Sequence, residues 1–261
     1  MTSSPLVFIT GASSGIGQAL ALRFHADGYR LALVARRVAE VQAWANSQGF
    51  EPGHFAVYAA DVRDIASITG AGRACIAAQG LPDVVIASAG ISVGMDSAVF
   101  DDLEVMRSVF ETNNLGTAAT FQPFVGAMCE RGSGALVGIA SVAAIRGLPG
   151  HGAYCASKAG VVAYCESLRG ELRLSGVKVV TIVPGYVDTP LTRKNPYGMP
   201  FLMPVDAFSD RAFDAITAGT SYRVIPWQMG VVAKLLRLLP NTLFDKLLAG
   251  HGRKPRQLDK A

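Results

Sequence analysis

The opening seventeen residues constrain the fold more than any other stretch. Leu6, Val7, Phe8 and Ile9 form a continuous apolar run, the pattern of a strand buried on both faces. The sequence TGASSGIG (residues 10–17) follows at once. Residues 18–27 then show helical spacing through Leu20, Ala21 and Phe24, with Gly28 as the stop. A strand that feeds a glycine loop and then a helix offers the free N–H groups of the first helical turn to a diphosphate. Gly11 and Gly15 permit unusual backbone angles, and Gly17 lets the helix pack closely. The candidate dinucleotide-binding residues here are Gly11, Ser13, Ser14, Gly15, Ile16 and Gly17. Gly11, Ser13 and Gly15 also satisfy G-x-S-x-G, the serine elbow of hydrolases. That elbow normally follows several strands rather than the first, and it leaves a second motif unexplained.

The second motif is SVAAIRGLPGHGAYCASK, residues 141–158. A serine closes an apolar run, a Gly/Pro loop follows, and Tyr154 and Lys158 open a helix. Residues at i and i+4 share a helical face, so the phenol and the ammonium point the same way. A free tyrosine, with pKa near ~10, is a poor acid or base at neutral pH. A neighbouring cation favours the phenolate and moves that pKa toward the working range. Ser141 adds a hydroxyl that can hold a substrate oxygen beside the phenol.

Between and beyond these motifs, strands are expected at Arg30–Ala35, 55–60, Val84–Ala87, 135–140, 179–183 and 222–227. Helices alternate with them at 38–48, 65–78, 101–131, from Tyr154 to 174, and at 205–218. This alternation predicts an α/β fold, a doubly wound parallel sheet of Rossmann type, with the motif residues at carboxyl ends of strands. The second strand ends in Ala35-Arg36-Arg37. An acidic residue there would accept hydrogen bonds from an adenosine ribose diol, whereas Arg36 and Arg37 suit a 2′-phosphate. NADP(H) is therefore expected over NAD(H).

With TGASSGIG and Tyr-x-x-x-Lys in this order, residues 5–190 resemble the short-chain dehydrogenase/reductase family. The resemblance implies hydride transfer between a nicotinamide and a carbonyl or secondary alcohol carbon. Tyr154 would be the acid/base, Ser141 would hold the substrate oxygen, and Lys158 would bind the nicotinamide ribose and lower the tyrosine pKa. It further implies that Asn113 bends its helix and holds a water beside the lysine. Asp61, followed by Val62, would hold the adenine amino group. The segment Pro184-Gly185-Tyr186-Val187-Asp188-Thr189 would hold the carboxamide, through Val187 and Thr189. Where relatives have Asn-Asn-Ala-Gly, this chain has Ala87-Ser88-Ala89-Gly90, so the bracing of that strand end is in question. A protein of this fold that binds dinucleotide without turnover is the competing expectation.

At 261 residues, half of them hydrophobic and 17% charged, the chain suits one globular domain. Its net charge of +4 is uneven. From Lys234 onward seven Lys/Arg face two Asp, giving +5, and the rest carries 17 basic against 18 acidic residues, or −1. Such a body is not a nucleic-acid binder. The N-terminus lacks the basic region of a signal peptide, and no apolar run reaches the ~18 residues of a membrane span. Four cysteines without metal-ligand spacing predict reduced thiols in the cytoplasm and no metal site. Residues 190–204 are rich in proline and apolar side chains, as in a functional lid. A stripe through Val231, Val232, Leu235, Leu236 and Leu239, with a short helix to Leu248, is expected to close over the substrate pocket or a neighbouring subunit, or else to lie on a membrane surface. The expected division is a catalytic domain at 1–227, a helical extension at 228–251 and a disordered tail at 252–261. A hydrophobic carbonyl or alcohol is the expected substrate. A homodimer or homotetramer is expected through helices 101–131 and Tyr154–174, with Phe110, Phe121, Phe124 and Met128 packing between subunits.

Overall fold

The computed structural model describes residues 4–250 and 254–256. All five residues of β1 (Leu6–Thr10) are buried, because helices cover both faces of the sheet to which it is central. β2 (Arg30–Ala35), β3 (Phe55–Ala59), β4 (Val84–Ala87), β5 (Gly134–Ile139), β6 (Val177–Pro184) and β7 (Tyr222–Ile225) complete it. The order is β3-β2-β1-β4-β5-β6-β7, and every neighbouring pair is parallel. Strand residues alternate between two cores. Val7 and Ile9 join the core beneath α1 (Gly15–Ala26), α2 (Val38–Ser47) and α7 (Val205–Thr217). Leu6 and Phe8 join the core beneath α3 (Ile65–Gln79) and two helices on the opposite face.

Those two helices place the chemistry. The expected single helix over 101–131 is instead α4 (Asp102–Phe110), a π-helical segment (Glu111–Leu115) and α5 (Gly116–Arg131). The wider π turn carries Asn113, whose side chain bonds away from its own helix. Phe121, Phe124 and Met128 of α5 are fully buried against their own sheet, and a Phe→Ala change at such a position costs about 3–5 kcal/mol. They are core residues of the protomer rather than the intersubunit contacts the sequence suggested. α6 (Gly152–Glu171) follows the loop after β5 and packs beside the π segment.

The chain closes with α8 (Trp227–Leu238) and α9 (Asn241–Leu248). Arg146 fastens this extension to the loop after β5. Its guanidinium donates to the carbonyls of Leu236 and Leu239 and to Asn241 Oδ1, and lies 3.7 Å over the Phe244 ring. The expected disordered tail is corrected at three residues. Residues 254–256 lie against the loop after β4, because Arg256 finds the buried carboxylate of Asp102. The remainder of that expectation, 252–253 and 257–261, falls outside the described residues.

Candidate active site

β1 leads to β2 on one side and β4 leads to β5 on the other, so the order in which strands are added reverses between β1 and β4 while all stay parallel. At such a switch point the carboxyl ends of the strands open into a crevice. Here it is a cleft of about 680 Å³. Every glycine-loop candidate, Gly11, Ser13, Ser14, Gly15, Ile16 and Gly17, lines it. Gly11 has φ +72°, and a Cβ there would stand 2.9 Å from the backbone of Ala89. A Cβ on Gly17 would lie 2.4 Å from the Gly11 carbonyl oxygen, so the turn closes only on glycine. Ser14, at the N-cap of α1, makes no side-chain capping bond. The first-turn amides are thus uncapped at the cleft wall, and the cradle fits a diphosphate.

Thr10 answers the question left by the altered strand end. Its hydroxyl accepts hydrogen bonds from the N–H groups of Ser88 (3.2 Å) and Ala89 (3.3 Å), tying the end of β4 to that of β1. Sequence reasoning missed this residue, although a hydroxyl at the last position of a strand was the available signal. Ser88, Ala89 and Gly90 line the cleft as expected.

At the end of β2 and β3 the cleft is cationic. Arg36 and Arg37 both line it, Arg37 pairing with Glu40 at 2.7 Å and Arg36 standing 3.8 Å from Asp61. Asp61 is held mainly by Arg63, which reaches both carboxylate oxygens at 2.8–3.2 Å. Those hydrogen bonds keep the Asp61 carboxyl below the usual carboxylate range. Arg63 was not anticipated. It draws on the carboxylate oxygens that the resemblance reserved for the adenine amino group. Val62 lines the same wall.

At the far end Ser141, Tyr154 and Lys158 come together. Ser141 caps a short 3₁₀ turn, accepting from Ala143 N–H at 3.2 Å, and its hydroxyl acts on the Tyr154 phenol to favour the ionised form. Lys158 Nζ lies 5.9 Å from the Tyr154 ring centre and donates to the Ile139 carbonyl at 2.8 Å. Burial pushes the Lys158 ammonium down to about 8 and pushes the Tyr154 phenol up, the Ser141 hydroxyl opposing the latter. Burial therefore outweighs the lowering expected from the lysine. Asn113 is fully buried and makes three bonds. Its Oδ1 accepts from Ile91 N–H at 2.9 Å, and its Nδ2 donates to the Ile91 carbonyl at 3.0 Å and to Ser157 Oγ at 2.9 Å. It thus joins the loop after β4 to the helix bearing the tyrosine.

Pro184, Gly185, Val187 and Thr189 line the cleft beside this group. From there residues 190–204 form a loop closed at its base, where Met203 N–H donates to the Tyr186 carbonyl and Asp188 N–H to the Met203 carbonyl, both at 2.9 Å. Tyr197 in this loop reaches His151 Nε2 at 3.0 Å, while His151 Nδ1 contacts the Pro149 carbonyl at 3.1 Å. Both His151 nitrogens are thereby engaged by groups other than Ser13, so His151 does not supply the base of the hydrolase reading; His251, the other histidine that could, lies outside the described residues. The extension at α8 and α9 contributes nothing to the cleft lining. Its Trp227, Val231, Leu235 and Leu238 face outward, so the expectation that this stripe covers the pocket is corrected. Phe244, which packs under Arg146, is what anchors α9 instead.

A seven-stranded parallel sheet with a glycine cradle at its switch point and a Ser-Tyr-Lys cluster at the cleft's far end defines a dinucleotide-dependent oxidoreductase. The short-chain dehydrogenase family model matches residues 5–198. The chain belongs to the short-chain dehydrogenase/reductase family, NAD(P)-dependent enzymes of alcohol and carbonyl groups. It is 40% identical over 242 residues to a Myxococcus xanthus (strain DK1622) protein named as an uncharacterized oxidoreductase, spanning 91% of this chain and 93% of that one. Rat estradiol 17-beta-dehydrogenase 1 is 36% identical over 197 residues, 73% of this chain and 56% of the relative. Among solved structures, an alcohol dehydrogenase from Thermococcus sibiricus complexed with 5-hydroxy-NADP superposes with a TM-score of 0.75. It is 26% identical, and the match covers 85% of this chain and 96% of that one.

Proposed function

We propose that the protein is an NADP(H)-dependent oxidoreductase that interconverts a hydrophobic carbonyl compound and its secondary alcohol. The convergence of Ser141, Tyr154 and Lys158 at the end of a dinucleotide cleft carries this reading. The bound cofactor supplies or accepts the hydride. Ser141 Oγ holds the substrate oxygen, and Tyr154 Oη gives that oxygen its proton on reduction and takes it back on oxidation. Lys158, fixed by the Ile139 carbonyl, stands beside the phenol and the nicotinamide ribose. Asn113 acts on these groups by positioning α6 against the loop after β4. Gly11 to Gly17 would hold the diphosphate, with Ala89 and Gly90 lining the same cleft, and Val187 and Thr189 would hold the carboxamide.

The preference for NADP(H) is supported by three guanidiniums, Arg36, Arg37 and Arg63, against two carboxylates, Asp61 beside Arg63 and Arg36 and Glu40 beside Arg37. A 2′-phosphate would gain there, whereas the carboxylates that a ribose diol would use are already paired with arginine. Titration of the protein with both cofactors should give tighter NADPH binding. Ala35→Asp combined with Arg36→Ile should reverse the order, and tighter NADH binding by the wild type would overturn the assignment. The hydrophobic substrate is supported by Leu191, Phe201 and Leu202, exposed on the loop 190–204. Phe201 holds φ +57°, a strained backbone for a bulky residue. The relative named for estradiol, a steroid, agrees in kind. NADPH oxidation measured with aliphatic aldehydes of rising length should give kcat/KM that climbs by roughly 0.8 kcal/mol per buried methylene. A flat series would sink the hydrophobic-substrate reading.

We also infer a homodimer or homotetramer through α4–α5 and α6. With Phe121, Phe124 and Met128 internal, the half-buried Phe110 and the exposed Leu103 and Leu115 are apolar side chains those helices offer. Light scattering that returns a 27.4 kDa particle at micromolar concentration would refute it.

A further inference from the structure

We propose that residues 254–256 form a strap that closes the substrate end of the cleft and sets which carbonyl compounds enter. In this proposal Asp102 is the positioning residue that seats it. Three separate features of the loop after β4 and the start of α4 receive the strap. Lys254 Nζ donates to Ser92 Oγ at 2.8 Å. Gly94 N–H donates to the Pro255 carbonyl at 3.3 Å, and Gly94 pairs with Arg256 as in a parallel strand. Arg256 binds Asp102 in fork fashion, Nε to Oδ2 at 2.7 Å and Nη2 to Oδ1 at 3.0 Å.

The receptor is shaped to this occupant. The Asp102 side chain is only 2% exposed, and a carboxylate so enclosed is costly without a cation. Among the described residues its further donor is the Asp96 N–H, at 2.6 Å. Gly94 does not have the positive φ that favours glycine. Close approach accounts for it instead, because a Cβ there would lie 2.1 Å from the Lys254 carbonyl oxygen. The three nearest atoms that such a Cβ would meet among the described residues all belong to the strap.

The strap's place in the cleft follows from its neighbours. Lys254, Pro255 and Arg256 line the cleft together with Ser92 and Val93, on the loop whose Met95 bonds to the Gly150 carbonyl and the Ala153 N–H at the start of the Tyr154 helix. The Lys254 charge is felt at His151, the N-cap of α6 three residues before Tyr154. A substrate that reaches Tyr154 must therefore fit beneath the strap, whereas the diphosphate cradle lies elsewhere.

The test compares wild type with Arg256→Gln, Gly94→Ala and a chain ending at Gly250. It rests on the reductase reading for its rates, so docking is read independently by hydrogen exchange at the Gly94 amide. That amide should be protected in the wild type and exposed in all three variants. An unprotected wild-type amide overturns the proposal whether or not any aldehyde is reduced. With NADPH and aliphatic aldehydes, kcat/KM for branched relative to linear substrates should rise about tenfold in each variant, the scale of altered pocket contacts. The change should appear chiefly in KM, with NADPH affinity within about twofold of wild type. Gly94→Ala leaves the Arg256–Asp102 pair chemically intact, so its agreement with Arg256→Gln excludes a simple loss of charge. Variants that lose Gly94 protection yet keep the wild-type substrate ranking would overturn the role in specificity.

Discussion

Tyr154 and Lys158 are both driven toward neutrality by burial, one from above and one from below. The phenol's pKa is raised and the ammonium's is lowered to about 8. A phenol with a raised pKa keeps its proton through the neutral range, the form that reduction of a carbonyl requires. The rate of reduction should therefore hold through neutral pH and fall as the phenol ionises. Oxidation of the alcohol needs the phenolate and should rise with pH over the same range. Profiles of kcat/KM against pH in both directions check this, and a reduction rate that climbs toward alkaline pH contradicts it. Tyr154→Phe removes the proton alone, since the ring and its packing persist. Turnover should fall by about 10²-fold or more with NADPH affinity unchanged. A variant that retains most of its kcat would remove Tyr154 from the reaction.

Elements differ in how fully the sequence announces them. β2 and β4 occupy Arg30–Ala35 and Val84–Ala87 as the apolar runs predicted, because strands buried on both faces leave a local signature. The glycine loop was equally legible, its geometry being dictated within eight residues. The π segment was not. Its register is set by Asn113 bonding to Ile91 and Ser157, contacts 22 and 44 residues away. Nor was the strap, since a basic C-terminal run reads as solvated until the carboxylate 154 residues earlier is placed beside it. The apolar face of α5 was visible, but its destination was not, as an amphipathic stripe does not say whether it meets its own sheet or another subunit. Thr10 is a case where one side chain joins two elements. Thr10→Val would leave the Ser88 and Ala89 amides without their acceptor. We expect a loss of about 1–3 kcal/mol in denaturant unfolding and weaker NADPH binding, with Thr10→Ser restoring both. Unchanged cofactor affinity in Thr10→Val would show that the strand end is braced by other means.

At the scale of the whole molecule, the C-terminal charge divides in two. Arg256 and Lys254 are committed to Asp102 and Ser92 at the cleft, so the +5 that the sequence assigns to this end does not act as one patch. Lys234, Arg237 and Lys246 remain on α8 and α9, against the single acid Asp245. They flank Trp227, Val231, Leu235 and Leu238, spaced 4, 4 and 3 residues apart and so on one face of α8. Leu243 and Leu247 stand one turn apart on α9. Trp227 is 65% exposed and Leu238 80%. An apolar stripe ended by a tryptophan and edged by cations has the chemistry of a helix lying in the headgroup layer of an anionic membrane. There each nearby Lys or Arg contributes about 1 kcal/mol. The same cations disfavour pairing this face with a second copy of itself. Arg146 holds α8 and α9 on the loop that carries Ser141, so such docking would bring the cleft close to the phase in which a hydrophobic carbonyl compound dissolves. Truncation is the wrong probe, because it would remove the strap as well. Leu235→Glu with Leu238→Glu alters the stripe alone. The wild type should sediment with phosphatidylserine-containing vesicles at low salt and be released as salt rises, and the double variant should stay in solution with its kcat toward short soluble aldehydes intact. Absence of vesicle binding by the wild type at low salt would overturn the expected membrane contact, as would a stripe that proves on light scattering to be buried between subunits.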